Sequence, residues 1–210
     1  MPSLTAKAFA ELINTPLYGQ LRILREQKYP RQAPGLFKVQ YYQPALRVIR
    51  RYFQQGNNAA VVPGNGASIP GIGNKPDRID HNFRVLMAFM NGSQAGRQLT
   101  VLGDDTYSMT LGNVVVRATP EFAVRDGTSG QTRYLVYDCR EQCPEEEIIR
   151  TTVELMHHVI TQSGQSCPIG TIEYVHLESD RTFSWNRPRQ RTVQRATTTA
   201  TAIGTLWSTI

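Results

Sequence analysis

The chain has 210 residues, 40% hydrophobic and 19% charged, with a formal net charge of +6 and a sequence pI of about 9.4. That length holds one domain with a buried core, and the composition excludes a disordered or collagen-like chain. No apolar run approaches the roughly 20 residues of a membrane helix, so no membrane partner is expected.

The opening "MPSLTAKAFAELINTP" lacks the basic and apolar blocks of a secretory leader, and a cytoplasmic protein is expected. Residues 3–14 follow a helical period through Leu4, Ala8, Phe9, Leu12 and Ile13, with Ser3 as a fitting N-cap. Pro16 begins a second helix through about Gln27, and "KYPRQAPGLFKVQYY" is a Pro/Gly-punctuated connection. "QPALRVIRRYFQQG" reads as a third helix, with Pro44 in its first turn and Gly56 past its end. Leu46, Ile49 and Phe53 share one face of it, and Arg47, Arg50 and Arg51 lie largely to the side. Residues 56–76 are rich in Gly, Asn and Pro and read as a loop; no Gly-Lys-Ser/Thr ending marks a nucleotide cradle. "DRIDHNFRVLMAFMNG" is a further helix burying Ile79, Phe83, Leu86 and Met90.

From residue 98 the period changes to two. "QLTVLG", "YSMTLGNVVVRATPEFAVRDG" and "TRYLVYDCR" read as three or four strands joined by Gly-Asn and Asp-Gly turns. Residues 111–125 and 132–140 are expected as adjacent antiparallel strands. "PEEEIIRTTVELMHHVITQSG" is one helix, with acids in its first turn and Gly164 at its end. "GTIEYVHLESDRTFSW" closes the core as a strand and a short hairpin arm. The fold class is therefore α/β, a mixed central sheet flanked by helices. Three parts are expected: N-terminal helices over 1–92, an α/β core over 93–185, and a basic Thr/Arg-rich tail over 186–210, either disordered or docked as an extended arm.

The positive charge is clustered. Between residues 20 and 52, Arg22, Arg25, Lys28, Arg31, Lys38, Arg47, Arg50 and Arg51 face a single acid, Glu26. After Asp180 come Arg181, Arg187, Arg189, Arg191 and Arg195, and no acid. Such clusters favour polyanions, so Arg47, Arg50, Arg51, Arg187, Arg189 and Arg191 are candidate contacts to nucleic acid, DNA first. The bland alternative is a solvated basic face.

Chemistry concentrates in the 114–147 hairpin. Alternation along the strand puts Asp138 and Arg140 on one face, Tyr137 and Cys139 on the other. Glu121 follows Pro120, which interrupts strand pairing, and a turn over 126–130 brings it near Asp138. Two carboxylates there repel unless a cation or Arg140 compensates, and a divalent metal held by such a pair is phosphodiesterase chemistry. Read without chemistry, Asp138 and Arg140 form a strand-end salt bridge, with Glu121 on a wet sheet edge.

In "TPEF", "YDCR" and the helix "EEEIIRTTVELMHHVI" the chain resembles the PD-(D/E)XK, or restriction-endonuclease-like, nuclease superfamily. That pattern is Pro-Asp on one strand, Glu- or Asp-x-Lys on the next, then a helix and a further strand, and the match covers about residues 98–178. The resemblance implies a hydrolase with Glu121 and Asp138 as ligands of Mg²⁺ or Mn²⁺, and Arg140 in the place of the lysine that serves the attacking water. It implies a nuclease, or an inactive module of the same fold that binds nucleic acid or a partner protein, alone or as a homodimer. Two departures stand out: Glu121 is one methylene longer than Asp, and Arg140 is a permanent cation that cannot share a proton. Glu11, Asp77 and Asp80 are candidates for an additional acid from an early helix.

Elsewhere the signals are weak. Cys139-x3-Cys143 with His157 and His158 lacks the second close ligand pair of a zinc site, so reduced thiols are expected. Trp185 and Trp207 are candidates for base stacking or for packing.

Overall fold

The computed structural model describes residues 1–29, 41–103 and 105–210. Strand β1 (Ser3–Thr5) runs directly into helix α1 (Ala6–Asn14), and α2 (Leu17–Lys28) follows. Helices α3 (Gln43–Gln54) and α4 (Pro76–Asn91) precede five strands: β2 (Leu99–Gly103), β3 (Tyr107–Leu111), β4 (Val114–Ala118), β5 (Phe122–Asp126) and β6 (Thr132–Asp138). Helix α5 (Glu146–Gln162), strands β7 (Ile172–His176) and β8 (Arg181–Phe183), and helix α6 (Gln190–Trp207) complete the chain.

The larger sheet has the order β2-β5-β6-β7-β8. Strands β5 and β6 pair antiparallel as expected, with Phe122 opposite Leu135 and Ala123 opposite Tyr134. β6 and β7 are parallel, Val136 opposite Tyr174 and Asp138 opposite His176, and α5 supplies the crossover that parallel neighbours require. Both faces of this sheet are covered, which is why "YLVY" in β6 is apolar at every position. Phe122, Val124, Leu135, Tyr137 and Val175 pack with α3 and α4 on one side. Ala123, Tyr134, Val136, Ile172 and Tyr174 pack with α1, α5 and α6 on the other.

Helix α3 buries Leu46, Ile49 and Phe53, and Tyr52, Phe53 and Phe89 of α4 meet edge to face with centroids 5.3–5.5 Å apart. Gly56 and Gly164 take positive φ just beyond α3 and α5, where a side chain would be strained. On α5, Glu146 and Glu147 sit in the first turn beside the positive end of the helix dipole.

Four sequence expectations are corrected. Residues 111–125 are not one strand, and there are two sheets rather than one. The chain breaks at Pro120, which has no N–H for a ladder, and β4 leaves for a three-stranded sheet of order β1-β4-β3. Ser3 is not the N-cap of the first helix: it pairs in β1, parallel to β4, and the Thr5 hydroxyl caps α1 by accepting from the Ala8 N–H at 3.2 Å. The 186–210 segment is neither disordered nor extended. Its Thr192, Ala196, Ala200 and Ile203 form one buried helical face, and that packing overrides the poor helix propensity of its threonines. The 28–42 connection falls largely outside the described residues.

Candidate functional site

Three elements meet at the C-terminal ends of β6 and β7. Asp138 is the last residue of β6 and only 1% exposed. Arg140, two residues on, folds back over it: Nε lies 3.0 Å from both carboxylate oxygens and Nη2 lies 2.7 Å from Oδ2. The Arg140 N–H also donates to Oδ1 at 3.1 Å. From β7, the Tyr174 hydroxyl donates to Oδ2 and itself accepts from Arg140 Nη2 at 3.2 Å. From α1 come Lys7, with Nζ 3.6 Å from Asp138 Oδ2, and Glu11, which takes Arg140 Nη1 at 2.6 Å. Lys7 and Glu11 are four residues apart, so one helical face presents both. His176 holds the arrangement from behind, its Nε2 2.8 Å from the Arg140 carbonyl oxygen and its Nδ1 2.8 Å from Ser179 Oγ.

Glu121 lies one residue before β5, and alternation puts it on the same face as Ala123, Val136 and Asp138. Its Oε2 accepts the Tyr137 N–H at 3.1 Å. Part of the residue reaches solvent, but the carboxyl is packed inward. Burial pushes it up to about 7, against the attraction of Lys7 and two backbone N–H groups, with Asp138 adding repulsion. Asp138 goes the opposite way. Burial works against its charge, yet Lys7, Arg140 and the Tyr174 hydroxyl hold its carboxyl well below the usual carboxylate range. The Tyr174 hydroxyl is pushed up by burial and by the Asp138 charge, so it remains a donor at any physiological pH. Two neighbouring carboxyls are thus driven apart: one permanently ionised, the other titrating near neutrality.

The structure therefore gathers Asp138, Arg140 and Glu11, with Glu121 on the same face. Asp77 and Asp80 lie on α4, across the sheet from this cluster. Lys7 and Tyr174 were not singled out from the sequence. The Lys7/Glu11 spacing and the position of Tyr174 two residues before His176 were visible, but only the β6–β7 register assigns them to Asp138.

The basic candidates do not form one surface. Arg47, Arg50 and Arg51 are on α3, and Arg187, Arg189 and Arg191 flank the start of α6 on the opposite side of the sheet. Arg47, Arg51, Arg187 and Arg191 are exposed. Arg50 is partly buried, donates to the Glu121 carbonyl oxygen at 3.1 Å and covers the Phe122 ring. Arg189 is engaged internally: Nε reaches Glu154 at 3.1 Å and Nη1 reaches Glu147 at 2.7 Å. Glu154 is 1% exposed and also holds Arg150 and the Thr192 hydroxyl, so this network fastens α6 to α5.

No known protein family, curated protein or solved structure matches the chain. What the site can do rests on its own geometry.

Mg²⁺ and Mn²⁺ are bound through unencumbered carboxylate oxygens and keep several waters in an octahedral shell. Both oxygens of Asp138 are already taken by Arg140, and Oδ2 also by Tyr174 and Lys7. The Glu121 carboxylate already accepts the Tyr137 N–H at Oε2. Among the described residues no group of three or more His, Cys, Asp or Glu side chains is placed to hold a metal ion. The residues as placed do not fit the divalent ion. Cys139 and Cys143 are free thiols, and burial raises both above the ordinary thiol value.

Proposed function

We propose that the chain is a nucleic-acid-binding module on a restriction-endonuclease-like scaffold, with the strand-end cluster acting as a charge lock instead of a metal centre. The observation that carries this reading is the closure of Asp138 by Arg140, Tyr174 and Lys7. A buried carboxylate paired in this way is satisfied, and opening it to a cation means stripping a bidentate guanidinium away. The scaffold part is supported by the chain order: a strand entered at Pro120-Glu121, a strand ending in Asp138-x-Arg140, helix α5, then β7. The nucleic-acid part is supported by the net charge of +6 and by Arg47, Arg51, Arg187 and Arg191 standing exposed. DNA is the expected form, in the cytoplasm; a partner protein or a second copy of the chain is the competing ligand. No helix among the described residues is long and apolar enough to cross a membrane.

A second reading, a Mg²⁺- or Mn²⁺-dependent nuclease, is favoured by one observation. Glu121, Asp138, Glu11 and a primary amine, Lys7, come from three separate parts of the chain to one end of the sheet. Lys7 is the compact donor that Arg140 cannot be. That reading requires Arg140 to leave Asp138.

One experiment separates the two. Purified protein is incubated with supercoiled DNA and with single strands, with Mg²⁺ and with Mn²⁺, while duplex binding is followed across a salt series. The charge-lock reading expects binding that weakens steeply with salt and no cleavage. Cleavage abolished by Asp138→Asn establishes the nuclease instead, and absence of any nucleic-acid binding favours a protein partner.

A further inference from the structure

Next to the charge cluster, at the β8 edge of the larger sheet, a set of aromatic and arginine side chains takes no part in closing Asp138. Phe183 stands opposite Tyr174 in the β7–β8 register and meets its ring edge-on. Trp185 stacks on Phe183, with centroids 6.5 Å apart and planes 20° from parallel. Both rings are half-buried. The contrast with the interior is informative: the buried pairs Tyr52–Phe53, Tyr52–Phe89, Phe53–Phe89 and Phe122–Tyr137 are all edge to face, at 74–85°. Offset-parallel rings at a surface are an arrangement that a further planar group, a guanidinium or a base, can extend.

Guanidinium groups lie over these rings, and the exposed one, Arg181, must swing aside for a base to take its place on Phe183. The Arg181 guanidinium lies 4.6 Å from the Phe183 centroid and that of Arg150 lies 5.5 Å from the Trp185 centroid. Arg181 is exposed and makes no ion pair among the described residues, and Arg187 follows Trp185 by two residues, also exposed. Phe183, Trp185 and Arg181 line a shallow, open groove of about 390 Å³, and Glu146 is the one carboxylate on its wall.

We propose that this ledge binds single-stranded nucleic acid, stacking unpaired bases on Trp185 and Phe183 and setting phosphates against Arg181 and Arg187. The proposal rests on the nucleic-acid reading above and adds strandedness to it. Inside a duplex the base faces are covered by their neighbours, so a stacking ledge selects strands whose bases are free; each stacked base contributes without regard to its identity.

The protein has two tryptophans, Trp185 and Trp207. In a Trp207→Phe background the fluorescence of Trp185 alone reports on the ledge. Three probes are titrated at moderate salt: a short oligothymidylate, a duplex of equal length, and an abasic strand of equal length. The proposal expects quenching by oligothymidylate, and about fivefold or greater weakening of that binding by Trp185→Ala, with most affinity restored by Trp185→Phe. Arg181→Ala, at an exposed position, should weaken binding and lower the salt slope by about one. Abasic or duplex probes binding as tightly as oligothymidylate, or Trp185→Ala and Arg181→Ala both leaving its affinity unchanged, would overturn the ledge. If duplex binding is salt-sensitive in that case, the broader nucleic-acid reading stands without it; if no probe binds, both fall.

Discussion

Glu121→Gln separates the charge of one carboxyl from its shape. In the folded protein this group ionises at about 7, against an ordinary value of 4.5. Between those two values the native state holds a proton that the unfolded chain has released, so stability falls as pH rises through the window and levels off above it. The difference corresponds to at most about 3 kcal/mol, less where solvent reaches the partly exposed residue. Glutamine keeps an oxygen for the Tyr137 N–H and cannot ionise. Urea unfolding at about pH 5 and about pH 8 should therefore give nearly equal stabilities for the two proteins at the lower pH. At the higher pH the variant should be the more stable, by roughly 2–3 kcal/mol. The readout is the difference between the proteins, so that groups common to both, His157 and His158 with their burial-lowered imidazoles among them, cancel. Parallel stability curves for wild type and variant would refute the placement of Glu121 in a desolvated pocket.

Arg140→Met leaves Asp138 buried with Lys7, Tyr174 and the residue-140 backbone N–H, and should cost about 1–3 kcal/mol in thermal unfolding, below the value for a fully buried pair because Arg140 is 36% exposed. The same change should reduce acid tolerance: Asp138 stabilises the fold above its unfolded pKa and loses that effect as pH falls toward its depressed folded value, a window that narrows when Arg140 is gone. Glu154→Gln removes the buried partner of Arg150, Arg189 and Thr192, and hydrogen exchange should accelerate over 190–207 ahead of the rest of the chain. Gly204→Ala would place a Cβ 2.3 Å from Asn113 Cβ, so α6 must shift from the β3–β4 turn, lowering thermal stability by about 1–3 kcal/mol.

Local pattern carried the elements whose neighbours agree with it. The apolar run in β6, the capped amphipathic α3 and the acid-led α5 each combine period, start and stop signals in one direction, and each formed where the pattern placed it. The division into two sheets was not legible, because Pro120 announces a break but not where β4 goes next; its parallel partner β1 is only three residues long. The α6 segment was misread because threonine and arginine say nothing of the buried Glu154 that receives them, although Thr192, Ala196 and Ala200 already stood at helical spacing. In the candidate site, Glu121, Asp138 and Arg140 were visible as neighbours in one hairpin. Lys7 and Tyr174 reach Asp138 only through the parallel β6–β7 register and the docking of α1, which no local signal encodes.

Arg140 occupies the coordination space of Asp138. Electron paramagnetic resonance of free Mn²⁺ tests it directly, since bound Mn²⁺ leaves the sharp aqueous spectrum. Titrated into wild-type protein without nucleic acid, Mn²⁺ should keep its full free signal up to millimolar concentration. A stoichiometric loss of that signal at micromolar concentration, absent in Asp138→Asn, would contradict the charge lock and make the cluster a metal centre.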